Sequence, residues 1–340
     1  LGRMSVHVAP LLAGGSVNVA LIGYGYWGRN LARCIERADG ARLAWVADPS
    51  EERLALALRE RDGIRVTGNA VEALGDPDVD AVVVATPLAH HYEGVRAAIA
   101  CGKDVLVEKP LAMSGEQARA LLAQASAAGR IVMVDHTFAY SPAVQCLADI
   151  VASCKLGRLL LIESSRANLG VYQPDADVVW DLAPHDLSIL SALTRLLPLS
   201  VVATGSARAG GGRADSAILS LLYPDGLEAR VSVSWLSPVK VRRTLVVGSE
   251  LMAVYDDMEP IEKVRVYDRS MTIEDGQARY HVGDMTAPPL EKAEPLAAMI
   301  AEFVECCRTR RTPRTSGADG AAVVSVLEAA SRSIAAGGER

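Results

Sequence analysis

Long apolar stretches, a basic excess and paired cysteines are all missing from this sequence. No run approaches the roughly 18 apolar residues that a membrane-spanning helix needs, so no membrane partner is expected. Acids outnumber bases 41 to 35, for a net charge of -6 and a pI near 5.6. Nucleic-acid binding calls for the reverse. Lysine is sparse, six of 35 basic residues, and the densest basic stretches, Lys240 to Arg243 and Arg308 to Arg314, are short. The six cysteines, Cys34, Cys101, Cys146, Cys154, Cys306 and Cys307, form no CxxC pair and no Cys/His ligand spacing. They therefore read as buried small apolar residues of a reducing compartment, with no zinc or other metal site and a cytoplasmic location as the expectation.

What remains is an ordinary globular composition, 50% hydrophobic and 22% charged, in 340 residues. That length holds two domains with cores of their own. The apolar patch in Leu1 to Ser16 is broken by Pro10 and Gly14, and a strand pattern begins directly after it. It reads as a frayed leader or an upstream start, with Met4 a candidate initiator, rather than a signal peptide.

The first half alternates short apolar runs with helical patterns, the signature of βαβ units and a parallel sheet. Strands are expected at Val17 to Ile22, Arg42 to Ala47, Val79 to Ala85, Val105 to Val107 and Ile131 to Val134. The intervening helices are Trp27 to Arg37, Glu51 to Arg61, Glu93 to Ala100 and Gly115 to Ala128. After about Tyr140 the runs lengthen into strands at Arg158 to Ala167, Ala217 to Tyr223, Leu227 to Trp235, Arg243 to Gly248 and Leu251 to Tyr255. Tyr223-Pro-Asp-Gly226 reads as a hairpin turn, and Glu294 to Arg308 and Gly320 to Ala335 as closing helices. The expected fold class is α/β: a doubly wound parallel Rossmann domain over 17–139, then an α+β domain over 140–337 with a large open, mostly antiparallel sheet.

Val17-Asn-Val-Ala-Leu-Ile-Gly23-Tyr-Gly25-Tyr-Trp-Gly28 carries a strand into GxGxxG and then a helix. Gly23 permits the tight turn, Gly25 lets the backbone approach a pyrophosphate, and Gly28 lets the helix pack on the strand. The helix N-terminus offers unpaired N–H donors to the phosphates, with Tyr26 and Trp27 flanking them. Asp48 ends the second strand about twenty residues on, the position that receives a ribose diol. A carboxylate there repels a 2′-phosphate, so NAD is expected over NADP, although Arg53 stands close enough in sequence to neutralise one. Thr86 and Pro87 end the third strand, and Glu108, Lys109 and Pro110 follow the next. Both sets lie on the ligand edge, toward the nicotinamide end of a dinucleotide.

Lys109 is aimed from a constrained backbone over that cleft. In Trp180-Asp181-Leu-Ala-Pro184-His185-Asp186, Pro184 fits the first turn of a helix running from Pro184 to Leu196. His185 then sits at a helix N-terminus, which disfavours imidazolium and leaves the ring ready to accept a proton, and Asp181 is placed to orient it. The alternative is a histidine packed beside a helix cap.

Together these residues resemble the glucose–fructose oxidoreductase and inositol dehydrogenase family (Gfo/Idh/MocA), over nearly the whole chain from Val17. The motifs that carry the resemblance are Gly23 to Gly28, Ala85-Thr-Pro87 with His91, Gly102-Lys-Asp-Val-Leu-Val-Glu-Lys-Pro110 and Asp181-x-x-x-His185. The resemblance implies that Lys109, Asp181 and His185 are catalytic and that the peptide before Pro110 is cis. A finer likeness, to UDP-N-acetylglucosamine 3-dehydrogenases and antibiotic-sugar oxidoreductases, rests on four segments: His136 to Pro142, Arg166 to Gly170, Val178 to Asp186 and Trp235 to Arg243. Ala139 departs from it, because many relatives carry an arginine there, and an anion-clamping role is not carried over to that position.

The implied chemistry is general-base oxidation of a ring hydroxyl. Lys109 donates to the oxygen and His185 takes the proton as hydride leaves. Tyr140, Arg166, Asn168 and Tyr172 are candidates for sugar hydroxyls or a nucleotide moiety. His91 is read as positional and His90 as its exposed neighbour. Three readings stay open: a sugar dehydrogenase acting at carbon three, a cyclitol dehydrogenase or ketosugar reductase, and a non-catalytic NAD-sensing protein on the same scaffold. An open sheet leaves an apolar face to cover, and relatives cover it between subunits, so a homodimer or homotetramer is expected.

Overall fold

The alternating runs of the first half assemble as a six-stranded parallel sheet in the computed structural model of the chain, which describes residues 15–170 and 176–339. Its strands are β1 (Val17–Ile22), β2 (Ala41–Ala47), β3 (Arg65–Thr67), β4 (Ala81–Val84), β5 (Asp104–Val107) and β6 (Val132–Val134). They lie in the order β3-β2-β1-β4-β5-β6. The helices are α1 (Tyr26–Arg37), α2 (Glu51–Glu60), α3 (Ala70–Gly75), α4 (His91–Ala100) and α5 (Gly115–Ala128). β4 and β5 are buried throughout, as strands covered on both faces must be. Side-chain oxygens of Ser50, Asn69 and Ser114 cap α2, α3 and α5, and Gly129 ends α5 in the left-handed conformation. The strand order reverses between β1 and β4, the place where sheets of this kind bind ligands.

The second half builds an eight-stranded sheet from β7 (Leu159–Ala167), β8 (Ser200–Ser206), β9 (Ser216–Leu222), β10 (Glu228–Ser234), β11 (Val241–Gly248), β12 (Met252–Asp256), β13 (Val264–Glu274) and β14 (Gln277–Thr286). The order is β14-β13-β12-β11-β7-β10-β9-β8. Among the described residues only β7 and β10 of this sheet pair in parallel; its other pairs are antiparallel. Tyr223 to Gly226 turns β9 into β10, with Asp225 and Gly226 at positive φ. Burial alternates along β9 and β10. The inner face packs on α7 (Val178–Thr194), which also meets α6 (Pro142–Ala152).

Two corrections concern the helices. α7 does not begin at Pro184: Asp177 caps it, accepting from the N–H groups of Val179 and Trp180, and Pro184 lies inside the helix. His185 is therefore past the first turn, where the helix dipole has faded. Pro184 forfeits one backbone bond within a helix whose apolar residues, Leu187, Ile189 and Leu190 among them, are buried. The second correction concerns the chain's return. α8 (Pro295–Thr309) and the start of α9 (Gly317–Ala335) belong with the Rossmann sheet, as 294–324, and the second unit is 138–293 with 325–340. α8 packs on α1, with Arg33 paired to Glu294. Arg310 pairs with Asp104, and Val134 donates to the Thr315 carbonyl at 2.9 Å, closing the β6 edge.

The cysteines depart in part from expectation. Cys34, Cys306 and Cys307 are buried, whereas Cys101 and Cys154, both in turns, are exposed. The segment through residue 14, which holds Met4 and His7, and Tyr172 lie outside the described residues. Among the described residues no helix is long and apolar enough to cross a membrane.

Candidate active site

The three glycines after β1 each meet a different physical demand. Gly23 has φ +98°, and a Cβ there would lie 2.5 Å from the Ala85 carbonyl oxygen. A Cβ on Gly28 would lie 2.1 Å from the Gly23 carbonyl oxygen, so α1 packs on the turn only without a side chain. Gly25 has open space around it, as a backbone must where a pyrophosphate is to approach. Tyr26 and Trp27 stand beside it, 78% and 51% exposed, in edge-to-face contact with ring centroids 5.3 Å apart.

Asp48 follows β2 with its carboxylate already oriented. Oδ2 accepts from the Tyr24 N–H at 2.8 Å and Oδ1 from the Ser50 N–H at 2.9 Å. Arg53 reaches back to it, Nη1 to Oδ2 at 3.4 Å. Asp48, Ser50, Arg53 and Arg59 help to line a cavity of about 460 Å³. These residues fit a dinucleotide: an open glycine for the phosphates and a held carboxylate for a ribose diol.

At the far end of the sheet, Thr86 and His91 follow β4, and Glu108 and Lys109 follow β5. The Lys109–Pro110 peptide is cis. His91 is buried, with Nδ1 2.7 Å from the Pro110 carbonyl oxygen and Nε2 2.9 Å from that of Thr86. It ties the two loops together. Burial is the main reason that its pKa lies below the usual imidazole value. Asp135 and His136, just past β6, are buried beside Lys109. Sequence reading gave neither of them a role. The signals were their place at a strand end on the ligand edge and, for His136, its position at the head of the His136 to Pro142 segment.

In the second unit His185 is half-buried, its ring 5.3 Å from that of Phe138 in edge-to-face contact. Asp181, in the first turn of α7, accepts from the Trp235 indole N–H at 3.0 Å. Arg166, a substrate candidate by sequence, is 2% exposed; its Nε and Nη2 bond Asp186, while Nη1 is buried without a hydrogen bond. It also stacks over Phe138, 4.4 Å from the ring centroid. β7 turns this side chain inward, so its place is a contact to α7. Tyr140 is likewise buried, and Asn168 is half-buried just beyond β7.

Comparison with known proteins agrees with this geometry. Residues 17–136 match the oxidoreductase family NAD-binding Rossmann fold of Gfo/Idh/MocA, and residues 144–254 match the Gfo/Idh/MocA C-terminal domain. The chain belongs to the Gfo/Idh/MocA family. It is an NAD-binding oxidoreductase of that family. Its relatives include UDP-N-acetylglucosamine 3-dehydrogenase of Acidithiobacillus ferrooxidans, 29% identical over 91% of this chain and 94% of that one. Inositol 2-dehydrogenase 2 of Saccharopolyspora erythraea is 32% identical, but the match spans only 59% of this chain and 60% of that protein. Among solved structures, GenD2 from gentamicin A biosynthesis in complex with NAD is 27% identical, with a TM-score of 0.81 and 95% of both chains covered.

Proposed function

We propose that the protein oxidises a secondary ring hydroxyl, at carbon three, of a sugar, nucleotide sugar or aminoglycoside intermediate to a ketone. The observation that carries this reading is Lys109. It stands at the ligand edge of a dinucleotide sheet, in a Glu-Lys-Pro segment that His91 ties to the neighbouring loop. The full-length match to a UDP-N-acetylglucosamine 3-dehydrogenase and the likeness to GenD2 support the substrate class.

Bound at Gly23 to Gly28 and Asp48, with its other end toward Thr86 and Lys109, NAD supplies the carbon that accepts the hydride. Asp48 favours it over NADP, because the held carboxylate accepts from a diol and repels a phosphate. Lys109 hydrogen-bonds the substrate oxygen and stabilises the negative charge that develops there. His185 takes the hydroxyl proton at an imidazole nitrogen, its ring braced by Phe138. Asp181 steadies the same helix through Trp235. The match to inositol 2-dehydrogenase favours a second reading, a cyclitol dehydrogenase using the same residues.

The test is His185→Asn, assayed by nicotinamide absorbance over a panel of sugars, nucleotide sugars and inositols. General-base catalysis is worth roughly 10²–10⁴-fold. Turnover should fall by that factor with NAD affinity unchanged. Undiminished turnover overturns the assignment, and the substrate preferred by the wild type decides between sugar and cyclitol.

A further inference from the structure

Arg166 of β7 and Arg242 of β11 are opposite each other in register, on the face of the second sheet that packs on α7. Both guanidiniums lie over the ring of Phe138, 4.4 and 5.4 Å from its centroid, and the same ring meets His185 edge-to-face. Like charges directly opposite each other destabilise a sheet, and the carboxylates that answer them here fall short. Asp186 takes Nε and Nη2 of Arg166, while Nη1 is buried with no hydrogen bond. Asp257 accepts from Nη1 of Arg242 at 3.1 Å, and its other oxygen is held by Lys263 at 2.9 Å. One carboxylate thus serves two cations.

Lys240 adds a further charge. It stands exposed just before β11, two residues from Arg242, and among the described residues it forms no ion pair. The charge of Arg242 is the main reason that its pKa lies below the usual lysine value. Asp256 does not make up the deficit, being in register with Arg243 on the opposite face of the sheet. Asp181, a turn before His185 on α7, accepts from the Trp235 indole. The chain as a whole carries -6, so this surplus of positive charge is local.

We infer that the substrate carries an anionic group, a phosphate or a carboxylate, and that Arg242 and Lys240 hold it while the reacting hydroxyl faces His185. The place of that hydroxyl rests on the dehydrogenase reading; the anion site does not. Arg242, half-buried and fixed at Nη1 by Asp257, presents its Nε and Nη2 N–H groups as the fork that matches two oxygens of an oxyanion. Lys240, a point charge on a flexible stem, closes from the rim. Arg166, locked to Asp186, adds its field rather than a contact. An uncharged cyclitol leaves these cations unanswered, and a polycationic aminoglycoside is repelled by them.

Isothermal titration of the full chain, saturated with NAD, tests this with four probes: UDP-N-acetylglucosamine, glucose 1-phosphate, glucuronate and the uncharged methyl glucoside. At least one charged probe should bind about tenfold or more tighter than methyl glucoside. Which of them binds best tells a diphosphate from a phosphate and from a carboxylate. Lys240→Met, at an exposed position, should weaken that probe by about threefold or more. Arg242→Gln, which leaves Lys263 on Asp257, should weaken it by about tenfold or more. Methyl glucoside binding as tightly as every charged probe, no binding of any charged probe, or wild-type affinity in both variants overturns the proposal. A chain that binds the anion through these residues yet reduces no NAD with any probe would sink the dehydrogenase reading and leave the anion site standing.

Discussion

The carboxylate of Asp186 grips the guanidinium of Arg166 through two hydrogen bonds, Nε to Oδ2 at 2.7 Å and Nη2 to Oδ1 at 3.3 Å. Ser164 donates to the same carboxylate at 2.7 Å. Both charged residues are 2% exposed, so this is an ion pair whose partners cannot turn to water. Removing one member strands the other, at a cost of about 3–5 kcal/mol. Asp186→Ala should therefore lower the melting temperature steeply. Replacing both, as Arg166→Met with Asp186→Leu, should recover much of the loss. Calorimetry of the three variants checks this, and because Arg166 carries Phe138 against His185, turnover should fall in the single variant even where it folds.

The glycine turn separates folding from binding. Gly23→Ala sets a Cβ against the Ala85 carbonyl at positive φ and should destabilise the first unit. A Cβ on Gly25 meets nothing within 4 Å, so the melting temperature of Gly25→Val should stay near wild type. Its side chain occupies the approach to the phosphates, and NAD affinity should fall by about tenfold or more, roughly 1.4 kcal/mol. Isothermal titration beside thermal melts reads both effects.

His136 gives a signed pH dependence. Burial, with the Lys109 charge second, pushes its pKa down to about 4, against about 6.5 in an unfolded chain. The unfolded chain then binds the additional proton, so stability is complete above about pH 6.5 and is lost as pH falls toward 4. The loss is on the order of 3 kcal/mol. His91 adds a contribution of the same sign. Urea melts at pH 7 and pH 4.5 should show the difference, and His136→Phe should shrink it without abolishing it.

Cofactor choice turns on Asp48. Asp48→Ser removes the charge that opposes a 2′-phosphate while leaving Arg53 and Arg59 on the same cavity. The ratio of NAD to NADP turnover should fall by at least tenfold, measured as kcat/KM for each. An unchanged ratio would mean that the carboxylate does not set the preference.

We propose a homo-oligomer built on the second sheet. Met271 and Ile273 on β13, and Tyr280 and Val282 on β14, stand exposed on adjacent strands, an apolar patch of the sort that subunits bury. Light scattering should report a dimer or larger. A monomer at micromolar concentration would contradict it.

Local chemistry was legible in the sequence, and pairing across the chain was not. Gly23, Gly25 and Gly28 announce themselves because each answers to a turn a few residues wide. The first strand and α5 were placed at their observed ends because caps and periodicity are local too. β3, α3, α6 and β8 escaped, being short or only weakly periodic, and so did the hairpin of β13 and β14, whose strands are largely exposed and carry little alternation. Pro184 misled because it is common at helix starts, while Asp177, the residue that caps α7, stood seven positions earlier. Arg166 looked like a ligand-binding cation because Asp186, its partner, lies twenty residues away. Asp135 went unread for the same reason: its place beside Glu108 depends on the β5–β6 register.

The return of 294–324 to the Rossmann sheet carries a consequence for biosynthesis. A ribosome delivers β1 to β6 long before it delivers Glu294, Arg310 and Thr315, the partners of Arg33, Asp104 and Val134. The nucleotide-binding sheet emerges before the segment that completes it. Until then its β6 edge and the α1 surface wait uncovered, the kind of unpaired edge and exposed surface that favours misassembly during synthesis.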